Sequence, residues 1–351
     1  MADTRYTNDG KPTLPQGLVR EQRVDNERLI LEGDVALGTP CPEPAPPSRI
    51  KNAVAWFAAA IGALGVYLGI QVSVPVLFGL LLAIPALTVG IGGLILMHFV
   101  ASAVLVATEL ITIAVFFAWW RYLRPRAVLL RGERAPGART VAVRLLAIVL
   151  LGIGTQVTIS IMLTYLLPLF PVWDAEYSEL MSDPLFSDLS VVSLFVVAIA
   201  APLIEEHMCR GVMLEFITRA LCPGLRTRWR KRRRGAALAS LPEAQENVPD
   251  AHVSLRMFWW ANVIQALMFA VLHLNVVQGS YAFLIGILFG WMAYRTGKLV
   301  YNICLHLVIN LSSYFIYEIS LVLGICGDAG MAVSGLALLV GGFVLFARTT
   351  K

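Results

Sequence analysis

The chain of 351 residues is 58% hydrophobic and only 15% charged, with a mean hydropathy of +0.72. A soluble domain carries about a quarter charged residues, so this composition excludes a globular protein that faces water on all sides. The net charge of +5 is clustered in a few segments, and five cysteines (Cys41, Cys209, Cys222, Cys304, Cys326) without CxxC spacing imply no disulfide framework.

Residues 1–50 mix Lys and Arg with Asp and Glu and end in Cys41-Pro42-Glu43-Pro44-Ala45-Pro46-Pro47. With no apolar period they read as a disordered polar tail, and their polarity does not fit a cleavable signal peptide. From Ala53 to Leu123 the chain is almost continuously apolar. At about 20 residues per crossing this run holds three spans, near 53–72, 75–96 and 98–121. A basic segment follows, with Arg124, Arg126, Arg131, Arg134 and Arg139 against Glu133 alone. The next span covers 142–168, and an acidic loop comes after it with Asp174, Glu176, Glu179, Asp183 and Asp188. An apolar run at 189–204 continues as an amphipathic stretch to Leu221, before the block Arg226, Arg228, Arg230, Lys231, Arg232, Arg233, Arg234. Further apolar runs lie near 257–273, 281–294, 299–321 and 329–347.

The expected fold is all-α, a polytopic transmembrane helical bundle of about eight to nine spans. It divides into the tail 1–50, N-terminal transmembrane helices at 51–140 and a second membrane domain at 141–350. Because Lys and Arg concentrate in cytoplasmic loops, 122–140 and 222–256 belong in the cytoplasm and 169–188 outside. Arg295, Lys298, Arg348 and Lys351 then fall inside. Two spans before Arg121 put residue 1 inside, and three put it outside. A basic block beside a span reads as a topology signal or a contact with anionic lipid. The partners expected on these grounds include the lipid bilayer and no nucleic acid.

An ionisable group at the centre of a spanning helix costs roughly 2.5–3.5 kcal/mol on insertion scales. The polar residues inside apolar runs are therefore informative: Glu109, Glu205, Glu206, His207, Arg210, Gln265, His273, His306, Asn310 and Glu318. Glu109 and Glu318 have no polar partner at helical spacing and read as isolated groups between helices. Among the others, three pairs lie four residues apart and so share a helix face: Glu206 with Arg210, His273 with the aromatic Phe269, and His306 with Asn310. A bundle can bring these pairs into one pocket. Glu and two His are zinc ligands or water-activating groups in hydrolases. A carboxylate in apolar surroundings makes a competent general base, and His with Asn one turn apart suits an oxyanion hole.

At these residues the sequence resembles the CPBP family, the CAAX-protease and bacteriocin-processing intramembrane peptidases, including type II CAAX prenyl endopeptidases. The EExxxR motif reads Glu205-Glu206-His207-Met208-Cys209-Arg210, preceded by Ala201-Pro202 and followed by Gly211. The FxxxH motif reads Phe269-Ala270-Val271-Leu272-His273, and HxxxN reads His306-Leu307-Val308-Ile309-Asn310. Between them lies Gly286, Gly290 and Tyr294-Arg295-Thr296-Gly297, similar to the Gly-rich helix of many members. The resemblance covers about 189–315, and departs from the pattern at Cys209, where an aromatic is common, and at His207. It implies catalytic roles for four residues. Glu205 activates water with help from His273, while His306 and Asn310 polarise the scissile carbonyl. Glu206, paired with Arg210, and Phe269 support them. Glu205, His273 and His306 are the candidate ligands for a divalent metal such as zinc, and metal-free water activation is also argued for the family.

The function this implies is an intramembrane endopeptidase acting on a membrane-embedded or lipid-anchored polypeptide, of CAAX type or linked to bacteriocins and immunity. The expected location is a bacterial plasma membrane. A presenilin-like GxGD is approached only by Gly324-Ile325-Cys326-Gly327-Asp328, a rhomboid GxSG only by Ala332-Val333-Ser334-Gly335, and HExxH is absent. The rival class is a non-enzymatic scaffold or a transporter with a polar midplane site. Helical rise puts Glu205 about 24 Å from residue 189 and close to the cytoplasmic face. His273 lies about as far from Met257, so the expected common pocket requires its helix to start deep or to tilt.

Overall fold

In lipid the backbone must satisfy its own hydrogen bonds, and helices do so within one segment. The computed structural model describes residues 49–86, 91–130, 135–222 and 253–350. The tail expected at 1–50, apart from its last two residues, and the Arg226–Arg234 block lie outside the described residues. Every regular element among the described residues is helical. In chain order these are α1 (Arg49–Ala86), α2 (Ile91–Leu123), α3 (Ala138–Leu166), α4 (Pro171–Ser182), α5 (Pro184–Ser187) and α6 (Val191–Leu221). After them come α7 (Leu255–Val271), α8 (Val276–Thr296), α9 (Val300–Tyr314), α10 (Ile316–Leu323) and α11 (Gly327–Arg348).

Among the described residues, six helices are long and apolar enough to cross a membrane, or seven if the bent pair α9 and α10 is one span. The expected count of eight to nine is corrected for three physical reasons. The run 53–123 makes two long helices rather than three, because α1 continues through Pro75 without a break. The run near 257–273 makes a 17-residue helix, below the usual spanning length. The run 299–321 bends by 83° between Tyr314 and Ile316. The long outward faces of α1 and α2 expose Val54, Ile61, Leu68, Val72, Phe99 and Leu110, which is acceptable only against lipid.

The chain is a multi-pass integral membrane protein, and α6 is the helix that its neighbours pack around. It touches α1, α2, α7, α8 and α9, and all residues from Glu206 to Ala220 are buried. Helices associate in lipid through close packing of small residues, and α3 crosses α11 in this way. A Cβ on Gly154 would collide with the Leu339 backbone, and one on Gly335 would come within 2.7 Å of Val157. One apolar cluster joins α1, α2, α6, α7 and α8, including Phe116, Met208, Ile217 and Phe258. A second joins α3, α8, α9 and α11 through Ile148, Phe289, Leu305 and Phe346.

Candidate active site

The geometry of the site begins with an irregularity in α6. Two stretches, Leu194–Ala200 and Glu206–Met213, are wound as π-helix around the α-helical turn Ala201–Glu205. Ala201 donates its N–H to the Val196 carbonyl, five residues back. The next rung of that pattern falls on Pro202, which has no N–H. The Val197 carbonyl is served instead by Asn310, whose Nδ2 donates to it over 2.8 Å. The third motif is thereby stapled to the lead-in of the first.

Glu206 begins the second π stretch and is fully buried. Arg210 NH1 donates to its Oε1 at 2.8 Å, and both side chains have zero exposure. His306 Nδ1 lies 3.1 Å from the same oxygen, and Asn302 Nδ2 donates to Oε2 at 3.3 Å. Asn302 also donates to the Phe289 carbonyl at 2.6 Å. The Arg210 guanidinium sits between two phenyl rings, 4.5 Å from the centre of Phe269 and 4.9 Å from Phe289. Its NH2 also donates to the Gly286 carbonyl at 3.4 Å. A buried pair is tolerable when most of its polar atoms are engaged and its charge has neighbours. Here both Glu206 oxygens and two guanidinium nitrogens are engaged, while Arg210 Nε has no hydrogen-bond partner among the described residues.

Gly286 and Gly290 create the space for that cluster. A Cβ on Gly286 would come 3.0 Å from the Ala266 Cβ and 3.3 Å from Arg210 NH2, while one on Gly290 would collide with Asn262. Asn262 Nδ2 donates to the Ile287 carbonyl at 2.9 Å. The helix α8 ends at Gly297 in the left-handed region, with φ of 63°, where glycine carries no Cβ penalty.

Glu205, one residue before Glu206, is placed differently. Its side chain is 18% exposed, and its Oε2 stands 3.6 Å from His306 Nε2. That oxygen has no hydrogen-bond partner among the described residues. Glu205, His273, His306 and Asn310 all line one cavity of about 810 Å³, together with Phe269. His273 lies in the turn after α7, beside Leu274 with a φ of 52°, a left-handed conformation that costs a non-glycine residue roughly 1–2 kcal/mol. Its Nδ1 is 3.0 Å from the Phe269 carbonyl. A carbonyl only accepts, so Nδ1 carries the hydrogen and Nε2 is the free acceptor. The Phe269 ring is an edge-on neighbour of both His273 and His306, at 4.9 and 6.3 Å between centroids.

Several expectations change. Glu205 is not near the cytoplasmic end of its helix, because α6 runs unbroken to Leu221 and Glu205 sits near its middle. Glu205 and His273 line one cavity, as the common pocket requires. Glu109 is not isolated: Gln71 Nε2 donates to its Oε1 at 3.2 Å, and it lines the same cavity as Glu205. Glu318 is exposed on α10, away from the cavity. His207 donates Nδ1 to the Leu203 carbonyl at 2.6 Å and packs edge-on against Phe117, off the cavity wall. Asn302 was missed by sequence reasoning, although its spacing four residues before His306 puts it on the same face. Tyr67 and Gln156 also line the cavity and gave no sequence signal.

Among the described residues, no three His, Cys, Asp or Glu side chains gather into a group that could hold a metal ion. The candidate zinc ligands Glu205, His273 and His306 all line the one cavity. What is assembled is a peptidase-like polar centre, with one engaged carboxylate, one free carboxylate, two imidazoles and an amide.

Residues 187–312 match the family model described as type II CAAX prenyl endopeptidase Rce1-like. This segment holds all three motifs, and the match, over less than half of the chain, supports a likeness to the CPBP and Rce1 type of intramembrane peptidase. No curated protein and no solved structure matches the chain.

Proposed function

We propose that the chain is an intramembrane endopeptidase that hydrolyses a peptide bond with water activated by Glu205. The observation that carries this is the contrast of adjacent carboxylates. Glu206 is consumed by Arg210, His306 and Asn302, while Glu205 lines the cavity and keeps its buried Oε2, 3.6 Å from His306 Nε2, without a hydrogen-bond partner among the described residues. The Glu206 carboxylate accepts from Nδ1 of His306 and so fixes the proton there. Nε2 then faces Glu205 and the cavity.

In this reading a water held between Glu205 and Nε2 of His273 attacks the scissile carbonyl carbon, and Glu205 accepts its proton. The developing oxyanion is stabilised by the second N–H of the Asn310 amide and by Nε2 of His306, which shares with Glu205 the proton taken from the water. Glu205 then delivers the proton to the amide nitrogen as the carbon–nitrogen bond breaks. Preorganised donors in a site shielded from water are worth more than the same donors in bulk solvent. No step is routed through a metal. Chelation followed by metal add-back to the purified protein tests the zinc reading separately.

The substrate class that follows is a membrane-embedded or lipid-anchored polypeptide, and the proposed location is a bacterial plasma membrane. The test is cleavage of a membrane-inserted reporter peptide by purified protein in nanodiscs. Glu205→Gln and His306→Ala should each lower the rate by about 10²–10⁴-fold. Glu205→Gln should elute and melt as the parent does, while His306→Ala, which takes a donor from Glu206, should elute as the parent does but melt lower. Unchanged cleavage by both variants would overturn the reading. A transporter would leave the reporter intact in every variant.

A further inference from the structure

On α3, α6, α7, α8 and α9 the cavity takes up one end of the helix, and it is closed at mid-length of α1 and α2 by Tyr67 and Glu109. On α3 its lining starts at Gln156 and runs to the helix end, which leads into the acidic segment 169–188. On α6 it spans Val196 to Glu205, and nothing beyond Glu205 takes part. Only Phe269 lines it from within α7, followed by Leu272 and His273 in the turn. On α8 it is limited to Gln278–Ile285, and on α9 it begins at His306. Each of these stretches is the part of its helix remote from the basic segments 122–140 and 222–256 and from Arg295 and Lys298. The opposite ends are filled, with Met208, Phe258, Phe289 and Met292 fully buried.

The exposure of the lining grades the same way. Thr164, Pro168, Ser178 and Ser313 are exposed, whereas His306 retains 7%. The short helices α4 and α5 form one wall of this outer end. Tyr177 of α4 is hydrogen-bonded to Tyr281 of α8, and burial pushes its phenol up, so it stays neutral. Tyr314 donates to the Leu185 carbonyl of α5 at 2.7 Å. The mouth is therefore built from folded elements rather than from a gap between helices.

Lys and Arg are retained on the cytoplasmic side of membrane proteins, so the end of the bundle remote from them faces outward. We propose that the cavity opens to the extracytoplasmic side and receives a polypeptide segment presented there, not a cytoplasmic tail. The choice of substrate side rests on the peptidase reading above, but the direction of opening does not depend on any cleavage.

The test uses full-length protein in which Cys41, Cys222, Cys304 and Cys326 are replaced by Ser, with single cysteines introduced as Ser178→Cys or Arg256→Cys. Spheroplasts are treated with a membrane-impermeant maleimide before and after permeabilisation. Ser178→Cys should label in intact spheroplasts, and Arg256→Cys only after permeabilisation. The reverse pattern overturns the assigned side, and labelling of both from one side overturns the separation of mouth and basic loops. A bulky maleimide on Ser178→Cys should lower reporter cleavage at least tenfold, while one on Arg256→Cys should leave it unchanged. Full cleavage with Ser178→Cys blocked overturns this route. Failure of the peptidase reading shows separately, as Glu205→Gln cleaving at the parental rate.

Discussion

Towards the acidic segment 169–188 the helices enclose a cavity of about 810 Å³, and towards the basic segments the same helices pack solid. The boundary passes between Glu205 and Glu206. On the solid side the two buried carboxylates of α6 are each matched by an arginine: Glu206 by Arg210, and Glu215 by Arg219 at 2.6 Å. Glu215 also accepts from the Val128 N–H at 2.8 Å and so ties the chain after α2 to α6. On the hollow side Glu205 keeps a free oxygen, and Glu109 is met only by a neutral amide, Gln71. The same residue types are thus structural in one half and chemically available in the other. What separates them is the presence of space, which the two π stretches around Pro202 position on α6.

The largest expected effect tests the solid half. Arg210→Met strands Glu206 as a buried, unpaired carboxylate, and breaking such a pair costs about 3–5 kcal/mol. Thermal unfolding in detergent should show this loss, and Glu206→Gln combined with Arg210→Met should recover most of it. Glu205→Gln should leave stability nearly unchanged while removing cleavage. If the two glutamates behave alike in both measurements, the division between halves is wrong.

Next in size is Asn302→Ala. It leaves Glu206 Oε2 and the Phe289 carbonyl without their donor, at a cost of about 1–3 kcal/mol. Because Glu206 orients His306, kcat should also fall, by about 10-fold or more, with KM little changed. A stability loss with parental kcat would make Asn302 a packing residue only. Gly290→Ala tests the same half from α8. Its new methyl collides with Asn262, and overpacking of this kind costs about 1–3 kcal/mol. A variant that melts as the parent does would mean that α7 and α8 are not held this closely.

Much of the site was legible because intramembrane charge is rare. The spacing of Glu206 and Arg210 predicted their pairing, and the three motifs named four residues that line one cavity. Asn302 escaped because a buried Asn costs less than a charge and attracts less suspicion, yet its place one turn before His306 was readable. Glu109 escaped for another reason. Its partner Gln71 lies on a different helix, and a pairing between helices leaves no periodic trace in either. The number of spans was misread in the continuous apolar run 53–123, where composition gives no boundary and Pro75 is accommodated inside α1. The place of Glu205 along its helix was misread because the apolar run ends near residue 204, whereas the helix continues to Leu221. Its polar groups there are matched within the protein, as Glu215 and Arg219 are.

The smallest effect sharpens the hollow half. Glu109→Gln keeps a side chain of the same length that can still meet the Gln71 amide, so its stability should change by less than about 1 kcal/mol. Glu109 and Glu205 line the same cavity, but only Glu205 has an imidazole within 4 Å that is itself held by Glu206. Cleavage should therefore survive in Glu109→Gln and be lost in Glu205→Gln. A loss as deep as that of Glu205→Gln would give the hollow half two working carboxylates, with the water-activating proton shared between α2 and α6.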